Sequence, residues 1–184
     1  MSSRLVRSLL TLVTAAVATA GILFTAAPAS AAPAPVKEHD KVFSAPSGDV
    51  GILVTKLTHS QATSRLRAAG ITWSSSGGCS DRYNSTCTSF EQVNLTTIQG
   101  AETLKGACGC ALNITGGTEV GHASGTYSHW NGYKLDYSLY SGVTNYVQNN
   151  FTYIGNSQWR SGSGNIYYKE GNHWDVTYYN CGGC

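Results

Sequence analysis

Four side chains in the second half of the chain have the types and spacing that metal-assisted hydrolysis requires: His129, Asp136, Glu170 and His173. His129 and Asp136 stand seven positions apart with Gly132 between them, in HWNGYKLD, and Glu170 precedes His173 by three in KEGNHWDV. A catalytic zinc ion takes three protein ligands of nitrogen or oxygen type and keeps a fourth position for water. His129, Asp136 and His173 meet that demand. Such an ion lowers the pKa of water and polarises a carbonyl, but peptide hydrolysis also needs a base for the water's proton. Glu170 is placed to be that base. Taken singly, His129 is more simply a loop histidine beside Trp130, and Asp136 a solvent-facing strand residue. Taken together, the four favour chemistry.

The pattern His129-x-x-Gly132-x-x-x-Asp136, followed by Glu170-x-x-His173, resembles the zinc D-alanyl-D-alanine carboxypeptidases and dipeptidases, whose fold is shared with the Hedgehog signalling domain. The resemblance covers roughly Leu112 to Tyr178. It implies one zinc ion held by His129, Asp136 and His173, with Glu170 as catalytic base. It also implies a peptide substrate drawn from cell-wall peptidoglycan. The chain departs from the family at two points: Tyr127 stands where a Ser is common, and the turn that usually carries an Arg for the substrate's carbonyl or carboxylate reads TGGTE, Thr115 to Glu119. Arg160, in SQWRSGSG, expected to be a loop between the third helix and the late strands, is the arginine left to come back over the cleft. A free terminal carboxylate is best held by a guanidinium fork and is repelled by Glu119, so an internal stem-peptide or cross-bridge bond is the expected target. His122, Trp130 and Trp174 complete the candidate substrate contacts, His122 through a hydrogen bond and the tryptophans as cleft walls.

The elements that must position these residues follow a leader. Arg4 and Arg7 precede an apolar run from Leu9 to Ala27, and Ala29-Ser30-Ala31 supplies a small-residue cleavage site, the marks of a secretory signal peptide over 1–31. Without it, ten basic residues (12 − 2) balance ten acidic ones, and no Lys or Arg run remains to bind nucleic acid. The mature chain is then expected to be secreted and monomeric, without contact to a membrane. Residues 32–49 form a Pro- and Ala-containing arm with few apolar anchors. Residues 50–184 are long enough for one domain with a substantial core.

All six cysteines follow the leader, and export favours disulfides. Cys79 and Cys87 flank the polar loop SDRYNST and are expected to pair. Cys108 and Cys110 would then tie to Cys181 and Cys184, fastening the C-terminus. The rival is a zinc site made of those last four thiolates.

Ser60 to Ala69 predicts a short helix ended by Gly70. Thr96 to Ala107 predicts a second, with a Thr cap and Ile98, Ala101 and Leu104 at helical spacing. From Cys110 the period changes. ALNIT and YKLDYSL read as strands, the second with Lys134, Asp136 and Ser138 on one face and Tyr133, Leu135 and Tyr137 on the other. Val143 to Phe151 predicts a third helix, and NIYYK and HWDVTYY an antiparallel pair. The expected fold is α+β: a single disulfide-stabilised domain with a small antiparallel sheet and helices on one side.

A second function class fits the same composition. A secreted chain rich in Gly, Asn, Tyr and Trp, with only 12% charged residues, suits a non-catalytic cell-wall or carbohydrate-binding module whose aromatic rings stack on sugars.

Overall fold

The computed structural model describes residues 54–179. The expected leader and arm, Cys181 and Cys184 lie outside them.

In chain order the elements are β1 (Lys56–Leu57), α1 (His59–Ala68), β2 (Thr72–Trp73), β3 (Val93–Asn94), α2 (Leu95–Cys108), β4 (Asn113–Gly116), β5 (Lys134–Ser138), α3 (Ser141–Asn150), β6 (Thr152–Gly155), β7 (Gln158–Arg160), β8 (Ile166–Glu170) and β9 (His173–Thr177). β1 and β3 form a two-stranded antiparallel sheet, and the rest form one of seven strands in the order β2-β4-β5-β9-β8-β7-β6. The fold is α+β as expected, but the large sheet is mixed, because β2 runs parallel to β4. α1 starts in a capping box: the Thr58 hydroxyl accepts from the Gln61 N–H, while the Gln61 side chain reaches back to the Thr58 N–H. α2 is not capped by a threonine; Asn94 precedes it with no side-chain cap bond.

Register makes the sheet two-faced. Leu135, Tyr137, Trp174, Val176 and Tyr167 occupy one face, all buried. α2 and α3 cover this face: the Tyr178 ring fills the space a Cβ would take at Gly100 of α2, and the Trp174 indole N–H donates to Thr144 of α3. The opposite face carries Lys134, Asp136, Asp175, Thr177 and Glu170, and these too are buried. Asp136 therefore does not sit on a half-exposed strand. The long segment between β4 and β5, with His122 and His129 on it, supplies further buried polar groups beside this face.

Cys79 and Cys87 are joined, as expected. Cys108 closes onto Cys110 instead of the tail. Gly109, in left-handed conformation with φ 57°, turns the chain back at the end of α2 and brings the two Cα atoms to 5.1 Å. That pairing also removes both thiolates from the rival zinc reading.

Candidate metal centre

Asp136 lies mid-strand in β5, facing Gly116 of β4, where a Cβ would collide with Asp136 Oδ2. The missing side chain gives the carboxylate its seat. Three imidazoles surround it. His129 Nε2 is 3.2 Å and His173 Nε2 3.6 Å from Oδ1, while His122 Nδ1 is 3.9 Å from Oδ2. Burial alone would raise the Asp136 pKa, but His129, then His122 and His173, hold it well below the ordinary carboxylate value.

The local chain explains each placement. His129 is fully buried on a turn that Gly132 closes with φ 79°, and the Gly132 carbonyl accepts from Asn94 N–H and from Thr97 Oγ1 of α2. A side chain at Gly132 would meet the Gln92 carbonyl at 2.6 Å, so the turn is specific to glycine. His173 opens β9 directly opposite Glu170, across the two-residue turn Gly171-Asn172. Glu170 is 3% exposed and its Oε2 lies 3.8 Å from His173 Nε2. The structure thus brings His129, Asp136, Glu170 and His173 to one place.

Hydrogen bonds fix which ring atoms face the carboxylate. His129 Nδ1 donates to the Gly117 carbonyl at 2.6 Å, and His173 Nδ1 to Asn172 Oδ1 at 3.1 Å. In the neutral rings each Nε2 therefore carries a lone pair toward Asp136. Asp136 Oδ1 is buried and accepts no hydrogen bond. Lone-pair donors turned on one another repel unless a proton or a cation lies among them, so the donor chemistry fits a metal ion that prefers nitrogen and oxygen. Tetrahedral bonds of about 2.0–2.1 Å set ligand atoms about 3.3–3.4 Å apart, close to the 3.2 and 3.6 Å found. Those are two of the three separations such a site needs; among the described residues, the group whose ligand atoms all lie within 4.8 Å of one another, and so could hold a metal ion, is His122, His129 and Asp136, without His173.

The remaining candidates separate. Asp136 and His173 open onto a cleft of about 540 Å³ lined also by Thr115, Ser138, Leu139, Tyr140 and Asn172. Trp174 is not a cleft wall: opposite Tyr137 in register, it belongs to the apolar face and is fully buried. Arg160 is not in a loop but on β7, exposed, paired with Thr152 and Ile166, three strands from β5, and does not line the cleft. Trp130 is exposed, beneath the Arg82 guanidinium, which lies 3.7 Å from the ring centroid. Sequence reasoning treated His122 as a substrate contact and did not single out Glu119 as its partner, although His122, His129 and Asp136 recur at intervals of seven. Glu119 is buried and its Oε1 lies 3.2 Å from His122 Nε2.

No family model, curated protein or solved structure matches the chain. Among the described residues, no helix is long and apolar enough to cross a membrane.

Proposed function

We propose that the chain is a secreted zinc-dependent peptidase of the Hedgehog/D-alanyl-D-alanine peptidase type, acting on peptide bonds in peptidoglycan. The observation that carries this reading is the pair of imidazole nitrogens 3.2 and 3.6 Å from one carboxylate oxygen at the edge of an open cleft, with a buried glutamate beside them. When bound there by His129, Asp136 and His173, zinc supplies Lewis-acid polarisation of the scissile carbonyl and lowers the pKa of the attacking water. Glu170 Oε2 takes the proton from that water and passes it to the leaving amine. Burial of Glu170 keeps bulk solvent from competing for that proton.

The cleft residues also suggest what is bound. Thr115, Ser138, Tyr140 and Asn172 offer hydroxyl and amide groups suited to a peptide backbone, and among the described residues no Lys or Arg lines the cleft. Lys134, close in sequence to Asp136, is engaged with Asp175 at 2.6 Å. A substrate with an internal bond fits this cleft better than one presenting a free carboxylate.

The test measures zinc content and hydrolysis of three substrates: a peptide ending in D-alanyl-D-alanine, its amide-capped form, and cross-linked peptidoglycan. Hydrolysis of the last two is expected. Preference for the free carboxylate would refute the internal-bond reading, and no hydrolysis by zinc-loaded protein would favour the binding module. Glu170→Gln should abolish turnover while zinc stays near one equivalent, because an amide keeps the shape but cannot take the proton. Normal turnover in that variant would exclude Glu170 as base.

A further inference from the structure

His129 belongs to the metal centre whether its companions are Asp136 and His173 or Asp136 and His122, and what holds this imidazole lies outside the site. Its Nδ1 donates to the Gly117 carbonyl at 2.6 Å, so the stretches 117–118 and 129–130 must stay side by side for Nε2 to face Asp136. One side chain joins them. Arg82 Nε donates to the Thr118 carbonyl at 3.2 Å, and its Nη2 donates to the Trp130 carbonyl. Each acceptor is the residue directly after a partner in the His129–Gly117 bond. The guanidinium also lies over the Trp130 ring, and the Tyr83 ring meets that of Trp130 edge-on, with centroids 5.7 Å apart. The main chain adds a third bond, from the Val120 N–H to the Arg82 carbonyl at 2.9 Å.

Arg82 and Tyr83 sit in the ring of chain that Cys79 and Cys87 close. Between β2 and β3 there is neither helix nor strand, so no regular ladder of backbone bonds fixes this loop. The disulfide and short turns do so instead: Asp81 Oδ1 accepts from the Tyr83 N–H, Asn84 Oδ1 from the Thr86 N–H, and the Cys79 carbonyl from the Thr88 N–H. A planar guanidinium with donors in a rigid fork can hold two carbonyls at a set separation, which a compact ammonium on a flexible stem does not reproduce.

Resting on the metal-site reading above for its zinc arm, we propose that the Cys79–Cys87 loop is the brace of the metal centre. Arg82 is a positioning residue. By clamping Thr118 to Trp130 it preserves the His129–Gly117 hydrogen bond, and with it the tautomer that turns the Nε2 lone pair toward Asp136. The disulfide keeps Arg82 within reach of both carbonyls. Metal affinity then depends on a covalent bond that supplies no ligand.

The experiment compares the wild-type chain with Arg82→Gln and with the double variant Cys79→Ser, Cys87→Ser. Nitrogen NMR of the metal-free chain, at a pH where the ring is neutral, reads the His129 tautomer, and chelator competition reads zinc Kd. In the wild type the proton is expected on Nδ1. Arg82→Gln should mix the two tautomers and weaken the Kd about 10-fold, the lower end of the range for loss of a group that orients a metal ligand. The double variant should move both readouts the same way and by less. If Arg82 is merely structural, its loss lowers the unfolding midpoint but leaves tautomer and Kd as they are, and that result overturns the proposal. Should Arg82→Gln not fold, Arg82→Lys decides between the same two outcomes, because it keeps the charge and loses the fork. A folded double variant with wild-type tautomer and Kd would overturn the part given to the disulfide. A wild-type chain that takes up no zinc would remove the metal reading, while the tautomer would still decide whether Arg82 positions His129.

Discussion

The two faces of β5, β9 and β8 are made by the same alternation and do opposite things. On one, Leu135, Tyr137, Trp174, Val176 and Tyr167 meet the helices, and each fully buried apolar side chain stabilises by about 1.5–3 kcal/mol. On the other, Lys134, Asp136, Asp175, Thr177 and Glu170 are just as buried, and burying charge costs free energy unless it is paired. Neighbours in sequence fall on opposite sides of this division: Lys134, Leu135 and Asp136 are consecutive. The lesson is that burial on the second face serves geometry. Its pairings, Lys134 with Asp175 and Asp136 with its imidazoles, hold charged groups at set distances where a hydrophobic face would stabilise more.

The largest effect that would sharpen this contrast is expected at Lys134. Its ammonium lies 2.6 Å from Asp175 Oδ2, with both side chains at most 1% exposed. Lys134→Met removes the ammonium that Asp175 Oδ2 meets in this buried site and should cost about 3–5 kcal/mol in a denaturant titration. The double variant Lys134→Met, Asp175→Leu should recover most of that, because a well-packed apolar pair replaces an ion pair at little net cost. If the single variant is as stable as the wild type, the polar face does not depend on pairing. Next comes Leu135→Ala, one residue along and on the other face. It opens a cavity and should cost about 2–5 kcal/mol, while zinc Kd stays within about twofold, since no donor lies on that face. Weakened zinc binding in folded Leu135→Ala would show that the two faces are not separable.

How far the sequence foretold this arrangement follows from the range of each signal. The alternation in YKLDYSL is local, and it sorted Lys134, Asp136 and Ser138 from Leu135 and Tyr137 as observed. The residues His129, Asp136, Glu170 and His173 were legible because their spacing is short within each half-motif. What the alternation could not show is that the polar face is buried, because that depends on how the irregular segment between β4 and β5 folds beside it. Trp174 was misplaced for a related reason: adjacent to His173, it points the opposite way, as every neighbour in a strand does. β6 and β7 escaped notice because they are short, exposed and interrupted by Asn156 and Ser157, both at positive φ. The pairing of Cys108 with Cys110 depends on the left-handed turn at Gly109, which composition alone does not reveal. His59 is half-buried and stacked on Phe90 with ring centroids 5.5 Å apart.

His59 gives the smallest effect and a control for the whole contrast, because it is an imidazole with no place on either face of β5. Its Nδ1 accepts the Phe90 N–H at 3.1 Å, which only the ring with a lone pair at that nitrogen can do. Burial lowers its pKa below the ordinary 6.5, with Glu91 opposing and Arg67 reinforcing the shift. A lowered folded-state pKa means that the unfolded chain binds the proton more readily. The contribution is therefore fully present above pH 6.5 and is lost as the pH falls below that value toward the folded-state pKa. His59→Gln should flatten this part of the pH dependence of the unfolding midpoint by a small, measurable amount. The His59 contribution should be the same with and without added zinc, whereas any pH dependence arising at Asp136 and its imidazoles should change when zinc is bound. A His59 contribution that disappears on zinc addition would mean that the ion binds elsewhere, or that the α1 end of the molecule is coupled to the site, and the separation between structural and functional histidines would fail.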